Sequence, residues 1–171
     1  QGSGRDRRAD VLFGVESFTG EVYVEGNRMP NKARDRSVRY FMRHKVGMVP
    51  RSRPERGIHN DLSVQDNLSM GYLNALHKKP FISAKEENQR FDRQQKAMAI
   101  KVSNSRNPIT SLSGGNQQKV ILGKWLETDA DVLLLDNPTQ GIDVGTKFEI
   151  YHLILRLAEA GKAIIMFSAE F

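Results

Sequence analysis

Cysteine is absent from the 171 residues, which excludes disulfide scaffolds, cysteine-ligated zinc and thiol catalysis. Aromatics are scarce at 8%, with one tryptophan, so there is no ladder of rings on which nucleic-acid bases could stack. Long apolar runs are also missing. The longest, residues 132–135 and 163–167, fall far short of the ~20 residues that span a bilayer. The opening Gln-Gly-Ser-Gly-Arg-Asp has no basic cap before an apolar stretch, so a secretory leader is not expected. The expectation is a soluble, intracellular protein. Neither G-x-S-x-G nor H-E-x-x-H occurs. His44, His59, His77 and His152 are scattered and read as surface or packing residues.

What remains is enough for one ordinary domain: 39% apolar residues and a net charge of +6. The charge is local. Residues 32–56 hold nine Lys or Arg against Asp35 and Glu55, a net +7, so the rest of the chain sums to −1. Such a window can meet nucleic acid, anionic lipid or nucleotide phosphate. It can equally be a solvated helix face followed by a basic loop.

The pattern of elements is α/β. Residues 6–14 read as a short helix ended by Gly14, and 21–25 alternate like a strand before the turn Gly26-Asn27. Residues 34–45 are expected to form a basic helix, 46–49 a short strand stopped by Pro50, and 51–61 a loop. Ser63-x-x-Asp66 has the spacing of a helix N-terminus, and 83–100 reads as a polar helix. Residues 104–110 read as a loop. The last third is the most regular. A helix over 115–127 places Ile121, Leu122, Trp125 and Leu126 on one face, and 132–135 is a strand apolar on both faces. A helix over 145–160, with Ile150, Tyr151, Ile154, Leu157 and Ala158 toward the core, leads to a second buried strand at 163–167. Strand, helix, strand at this spacing predicts two parallel strands, and ligands gather at the carboxyl ends of such strands.

Two stretches at those ends carry chemistry. Asp136 closes an apolar strand, where a buried carboxylate is costly unless a cation such as Mg²⁺ needs it. Alternatively it caps the following turn. Leu112-Ser113-Gly114-Gly115-Asn116-Gln117 joins two glycines and a hydroxyl to a helix start, an arrangement suited to an anion. Read alone, it is equally a turn that begins a helix.

Taken together, the two stretches are more specific. Leu112 to Lys119 resembles the signature motif of the ATP-binding cassette (ABC) ATPases, and Asp136-Asn-Pro-Thr-Gln-Gly141-Ile142-Asp143 resembles their Walker B and D-loop run. Gly2-Ser3-Gly4-Arg5-Asp6 followed by Val11-Leu-Phe-Gly14 is similar to the phosphate loop of one branch. That branch is the second, C-terminal cassette of the tandem ATPases that drive bacterial ribose, galactose and xylose importers. The resemblance implies a P-loop NTPase of the ABC type, with a mixed sheet, flanking helices and a helical signature subdomain. It also implies a chain truncated at both ends. About 1–57 and 129–171 would form the core part, and about 58–128 the helical part.

By the same resemblance ATP is the ligand and Asp136 binds Mg²⁺. Gly2, Ser3, Gly4, Arg5 and Asp6 hold phosphate, Asn137 stands at the catalytic glutamate, and Ala169 stands at the switch histidine. The partners implied are a second cassette, a transmembrane permease and, indirectly, a periplasmic sugar-binding protein, which places the chain at the cytoplasmic face of a bacterial membrane. Several positions depart from an active pattern. Arg5 replaces lysine, Asp6 replaces Ser/Thr, Asn137 is an amide that cannot act as a base, and Arg51 holds the Q-loop glutamine position. The signature is intact. The expected function is therefore an importer ATPase whose own phosphate-side site is degenerate. A soluble ABC-type ATPase acting on nucleic acid and a non-catalytic regulatory cassette are the alternatives.

Overall fold

The computed structural model describes residues 5–32, 38–73 and 83–168. Helix α1 (Arg5–Leu12) leads to a small antiparallel hairpin, β1 (Tyr23–Val24) and β2 (Asn27–Arg28). Next come α2 (Val38–Arg43), β3 (Val46–Val49), a single π turn at Arg53–Gly57, α3 (Val64–Leu73) and α4 (Ala84–Ala97). After a 3-10 turn at Ile109–Ser111 the chain runs through α5 (Gly114–Glu127), β4 (Val132–Asp136), α6 (Val144–Glu159) and β5 (Ala163–Phe167).

Strands β3, β4 and β5 form a parallel sheet with β4 central, in the register Val46↔Val132↔Ala163. Side chains alternate across a strand, and β4 divides the core accordingly. Leu133 and Leu135 enter a cluster with Val64, Leu68, Ile121, Leu122 and Ile150 from α3, α5 and α6. Leu134 enters the opposite cluster with Ala9, Met29, Phe41 and Met48, under α1 and the hairpin. Phe13 stacks on Phe41 with centroids 4.8 Å apart and meets Trp125 edge-on at 5.7 Å.

Local chemistry explains the helix starts. Ser63 and Asp66 form a reciprocal box: the Ser63 hydroxyl donates to Asp66 Oδ2 at 2.6 Å, and the Asp66 amide donates to Ser63 Oγ at 3.1 Å. Ser83 accepts from the Glu86 amide to cap α4. Helix α3 crosses α5 at Gly71, where any side chain would strike the Lys124 carbonyl.

Three expectations need correction, and a fourth lies partly outside the described residues. The strand expected over 21–25 is paired only at Tyr23–Val24. The described part of the basic helix is Val38–Arg43, with 33–37 outside the described residues. On α6, Leu153 is buried at the core while Ala158 is exposed. Among the described residues strand β5 pairs with β4 alone, and Ile165 and Met166 are 44% and 46% exposed. An apolar run reports that a strand can be buried, not that a second neighbour covers it.

Candidate functional site

The carboxyl ends of β3 and β4 bring Arg51 and Asp136 together. Asp136 is 4% exposed, and its Oδ1 accepts from an Arg51 Nη2 at 3.1 Å. A buried carboxylate must be paired, and here a guanidinium supplies the pairing. Asn137 follows with φ of 46°. Its amide donates to the Phe167 carbonyl at 2.7 Å, tying the end of β4 to the end of β5. Asparagine tolerates this left-handed backbone better than most residues, so position 137 carries a conformational demand as well as a chemical one.

The turn that follows is held from several sides. The Gln140 amide donates to the Asn137 carbonyl, and Thr139, fully buried, shares a 3.0 Å hydrogen bond with the Tyr151 hydroxyl of α6. Gly141 takes φ of 67°, and Ile142 is buried. Asp143 caps α6, with Oδ1 accepting from the Thr146 amide at 2.9 Å. That backbone donor holds the Asp143 carboxyl below its usual range.

The signature stretch forms the start of α5. Ser113 is its N-cap, its Oγ accepting from the Asn116 amide at 3.4 Å and from Asn116 Nδ2 at 3.0 Å. A hydroxyl that accepts in the cap still has its own O–H to donate. Gln117 Nε2 donates to the Ile109 and Leu112 carbonyls, fixing the preceding turn. Gly115 has no room for a side chain, because a Cβ would run into the Thr146 methyl of α6. Lys119, 2% exposed, donates to the Ala99 carbonyl at 3.0 Å and to Glu149 Oε2 at 2.6 Å, and holds the Glu149 carboxyl below its usual range.

Arg53 joins these pieces. Its Nη1 donates to the Gln140 carbonyl at 2.7 Å, and a Cβ on Gly114 would lie 3.0 Å from its Nη2. One guanidinium thus lies against both the turn after β4 and the start of α5. Burial lowers its affinity for the proton. The sequence reading left Arg53 within a loop; no local pattern marks it, because its partners lie sixty-one and eighty-seven residues away.

The structure therefore gathers Arg51, Asp136 and Asn137 at one place, and Ser113, Gly114, Gly141 and Arg53 at another. Arg5 and Asp6 open α1. Gly2, Ser3, Gly4 and Ala169 lie outside the described residues. Among the described residues no group of three or more His, Asp or Glu is placed to hold a metal ion. Three of the nine cations in the basic window lie in ion pairs: Lys45 with Asp131 at 2.8 Å, Arg51 with Asp136, and Arg56 with Asp10 at 2.7 Å. No helix among the described residues is long and apolar enough to cross a membrane.

Comparison with known proteins places the chain in a family. The chain is 42% identical over 170 residues to the galactose/methyl galactoside import ATP-binding protein MglA of Treponema pallidum. It is 39% identical to the ribose import ATP-binding protein RbsA of Geobacillus kaustophilus, and 42% to the xylose import ATP-binding protein XylG of Pseudomonas savastanoi. Each match covers 99% of this chain but about a third of the relative's length, 34%, 34% and 32% in turn. In fold it is similar to a dimeric ATP-binding cassette in a post-hydrolysis state bound to ADP and Pi. The TM-score is 0.79 at 20% identity, covering 98% of this chain and 71% of that one. This shows the ABC ATPase cassette fold, a P-loop NTPase with mixed α and β elements. The family model described as ABC transporter matches residues 1–140, and the chain belongs to that family.

Proposed function

We propose that the chain is the ATP-binding part of a bacterial sugar importer and corresponds to the second cassette of a tandem ATPase. Its two faces would serve different nucleotides. The signature side, Leu112–Gln117, would complete a partner cassette's site, where MgATP is hydrolysed. The phosphate-loop side, with Gly2 to Asp6, would hold nucleotide and turn it over slowly. The core and helical parts would divide near residues 57 and 129. The partners would be a second cassette, a permease at the cytoplasmic face and, indirectly, a periplasmic sugar-binding protein. Relatives of nearly equal similarity are named for galactose, ribose and xylose, so the choice of sugar is assigned to the permease and binding protein.

The observation that carries this reading is the contrast in quality between the two faces. Ser113 is held as an N-cap on an ordered helix start, beside a glycine with no room for a side chain. At the other face the strand-end carboxylate is paired with arginine, and an amide stands where a base belongs. The nucleic-acid alternative is not favoured, because the relatives are named for sugar import.

Steady-state ATP hydrolysis by the full gene product tests the asymmetry. Ser113→Arg removes a donor aimed at developing phosphate charge, and the expected loss is ~10²–10³ in rate. Asn137→Gly keeps the left-handed backbone and removes only the side chain; the expected change is a few-fold at most. Equal damage from both variants would refute the assignment of the two faces.

A further inference from the structure

Two helices of this chain begin on a serine with a side-chain partner three residues further on, and the two pairs are wired oppositely. At Ser63-x-x-Asp66 the partner is a carboxylate. An ionised carboxylate only accepts, so the Ser63 hydroxyl donates to it at 2.6 Å and its proton is spent inside the cap. At Ser113-x-x-Asn116 the partner is an amide, which has one end of each kind. The Lys101 backbone decides which end faces the serine. Its N–H donates to Asn116 Oδ1 at 2.8 Å, and a backbone N–H cannot accept, so the oxygen must lie on that side. The nitrogen therefore faces Ser113, and Nδ2 donates to Oγ at 3.0 Å. The Asn116 backbone amide donates to the same oxygen at 3.4 Å. Both lone pairs of the hydroxyl are thus engaged, and its O–H is left for a group outside the cap. Ser113 is exposed, so such a group can reach it.

We infer that Asn116 is a positioning residue that makes Ser113 an obligate donor toward phosphate. The inference rests on the reading of Leu112–Gln117 as the side that completes a partner cassette's nucleotide site. The oxygens of an ionised phosphate only accept, so a hydroxyl serves them as a donor alone. A serine free to rotate gives up its other orientations to do so. The Asn116 amide removes them in advance, which is the preorganisation that stabilises developing charge. Asn116→Asp would rewire this cap like the one at Ser63: the hydroxyl would turn inward onto the carboxylate, and the phosphate would lose its donor. The new carboxylate would still accept from the Lys101 amide, and an acid suits the first turn of a helix, so the fold has no reason to suffer. Lys101 follows α4 and Asn116 belongs to α5, so the orientation of one hydroxyl is set where two elements meet.

The test is a double-mutant cycle on steady-state MgATP hydrolysis by the full gene product, with Ser113→Ala, Asn116→Asp and the two combined. Ser113→Ala is expected to lower kcat by ~10²–10³, as loss of one such donor does. Asn116→Asp is expected to lower kcat nearly as much, with KM for MgATP within about threefold of wild type and the urea midpoint unchanged. In the Ser113→Ala background the same change is expected to cost no more than about twofold, since the hydroxyl it turns is gone. A loss that persists in that background, as simple repulsion between carboxylate and phosphate would, overturns the inference and leaves the reading of that face standing. So does an Asn116→Asp variant with wild-type kcat, or one whose loss lies in KM alone. A wild-type rate in Ser113→Ala overturns the reading of the face and the inference together. Should Asn116→Asp fail to fold, Asn116→Ala goes through the same cycle. It frees the hydroxyl to rotate, with an expected loss of about tenfold in wild type and none once Ser113 is alanine. Any loss that persists there overturns the inference.

Discussion

Lys124 and Arg53 each donate to a backbone carbonyl in a distant part of the chain. Lys124 is largely buried, and its Nζ donates to the Gly57 carbonyl at 2.7 Å, tying α5 to the π turn. Burial lowers its pKa from the ordinary lysine value of 10.5 to about 8. Between those values the unfolded chain holds the proton and the folded chain does not, so stability rises with pH across that window. The penalty is complete below pH 8 and is relieved toward 10.5, by on the order of 3 kcal/mol. Urea unfolding of wild type and Lys124→Met over this range should diverge by that amount, with the rise confined to wild type; parallel curves would show that the lysine is not desolvated. Arg53 acts through geometry. Arg53→Ala frees the Gln140 carbonyl, and amide exchange over 139–142 should quicken by about tenfold, as loss of a charged hydrogen bond implies.

At the level of elements, α5 is the hub. It runs under β3 and packs against α3 and α6, and six consecutive residues from Gln118 to Gly123 are buried. Its crossing with α3 depends on Gly71, where a Cβ would strike the Lys124 carbonyl. In an exposed helix Gly→Ala stabilises by up to ~1 kcal/mol. Gly71→Ala is expected to reverse that sign and destabilise by about 1–3 kcal/mol, because backbone cannot give way as a flexible side chain can. Denaturant midpoints at constant m-value measure it; a stabilised variant would mean that α3 can move off α5 without cost. The π turn at Arg53–Gly57 belongs to the same hub, since Gly57 lies against Ile121 and the turn carries Arg53 to the turn after β4.

At the level of the whole molecule, part of the basic window behind the +6 charge is matched by carboxylates from elsewhere in the chain. Lys45, Arg51 and Arg56 are each paired with an aspartate contributed by a distant part of the chain. Random duplex DNA is expected to bind weakly at physiological salt, with a shallow dependence of affinity on salt, because these three cations are already matched by carboxylates. A steep slope in a fluorescence titration would revive the nucleic-acid reading.

The sequence alone determined the strongly periodic parts: β3 and β4, the helices at the two motifs, the Ser63–Asp66 cap and the parallel pair around α6. These depend on hydrophobic spacing and capping chemistry between neighbours in the chain, which is information a linear reading contains. It also named the departures at Arg51 and Asn137. Only the tertiary structure decided what those departures do. Pairing β3 with β4 puts Arg51 on Asp136 across eighty-five residues, and the turn after β4 asks Asn137 for a left-handed backbone. The exposure of β5 and the reach of Arg53 were likewise invisible beforehand, because each depends on which elements become neighbours in space, and no local pattern encodes that.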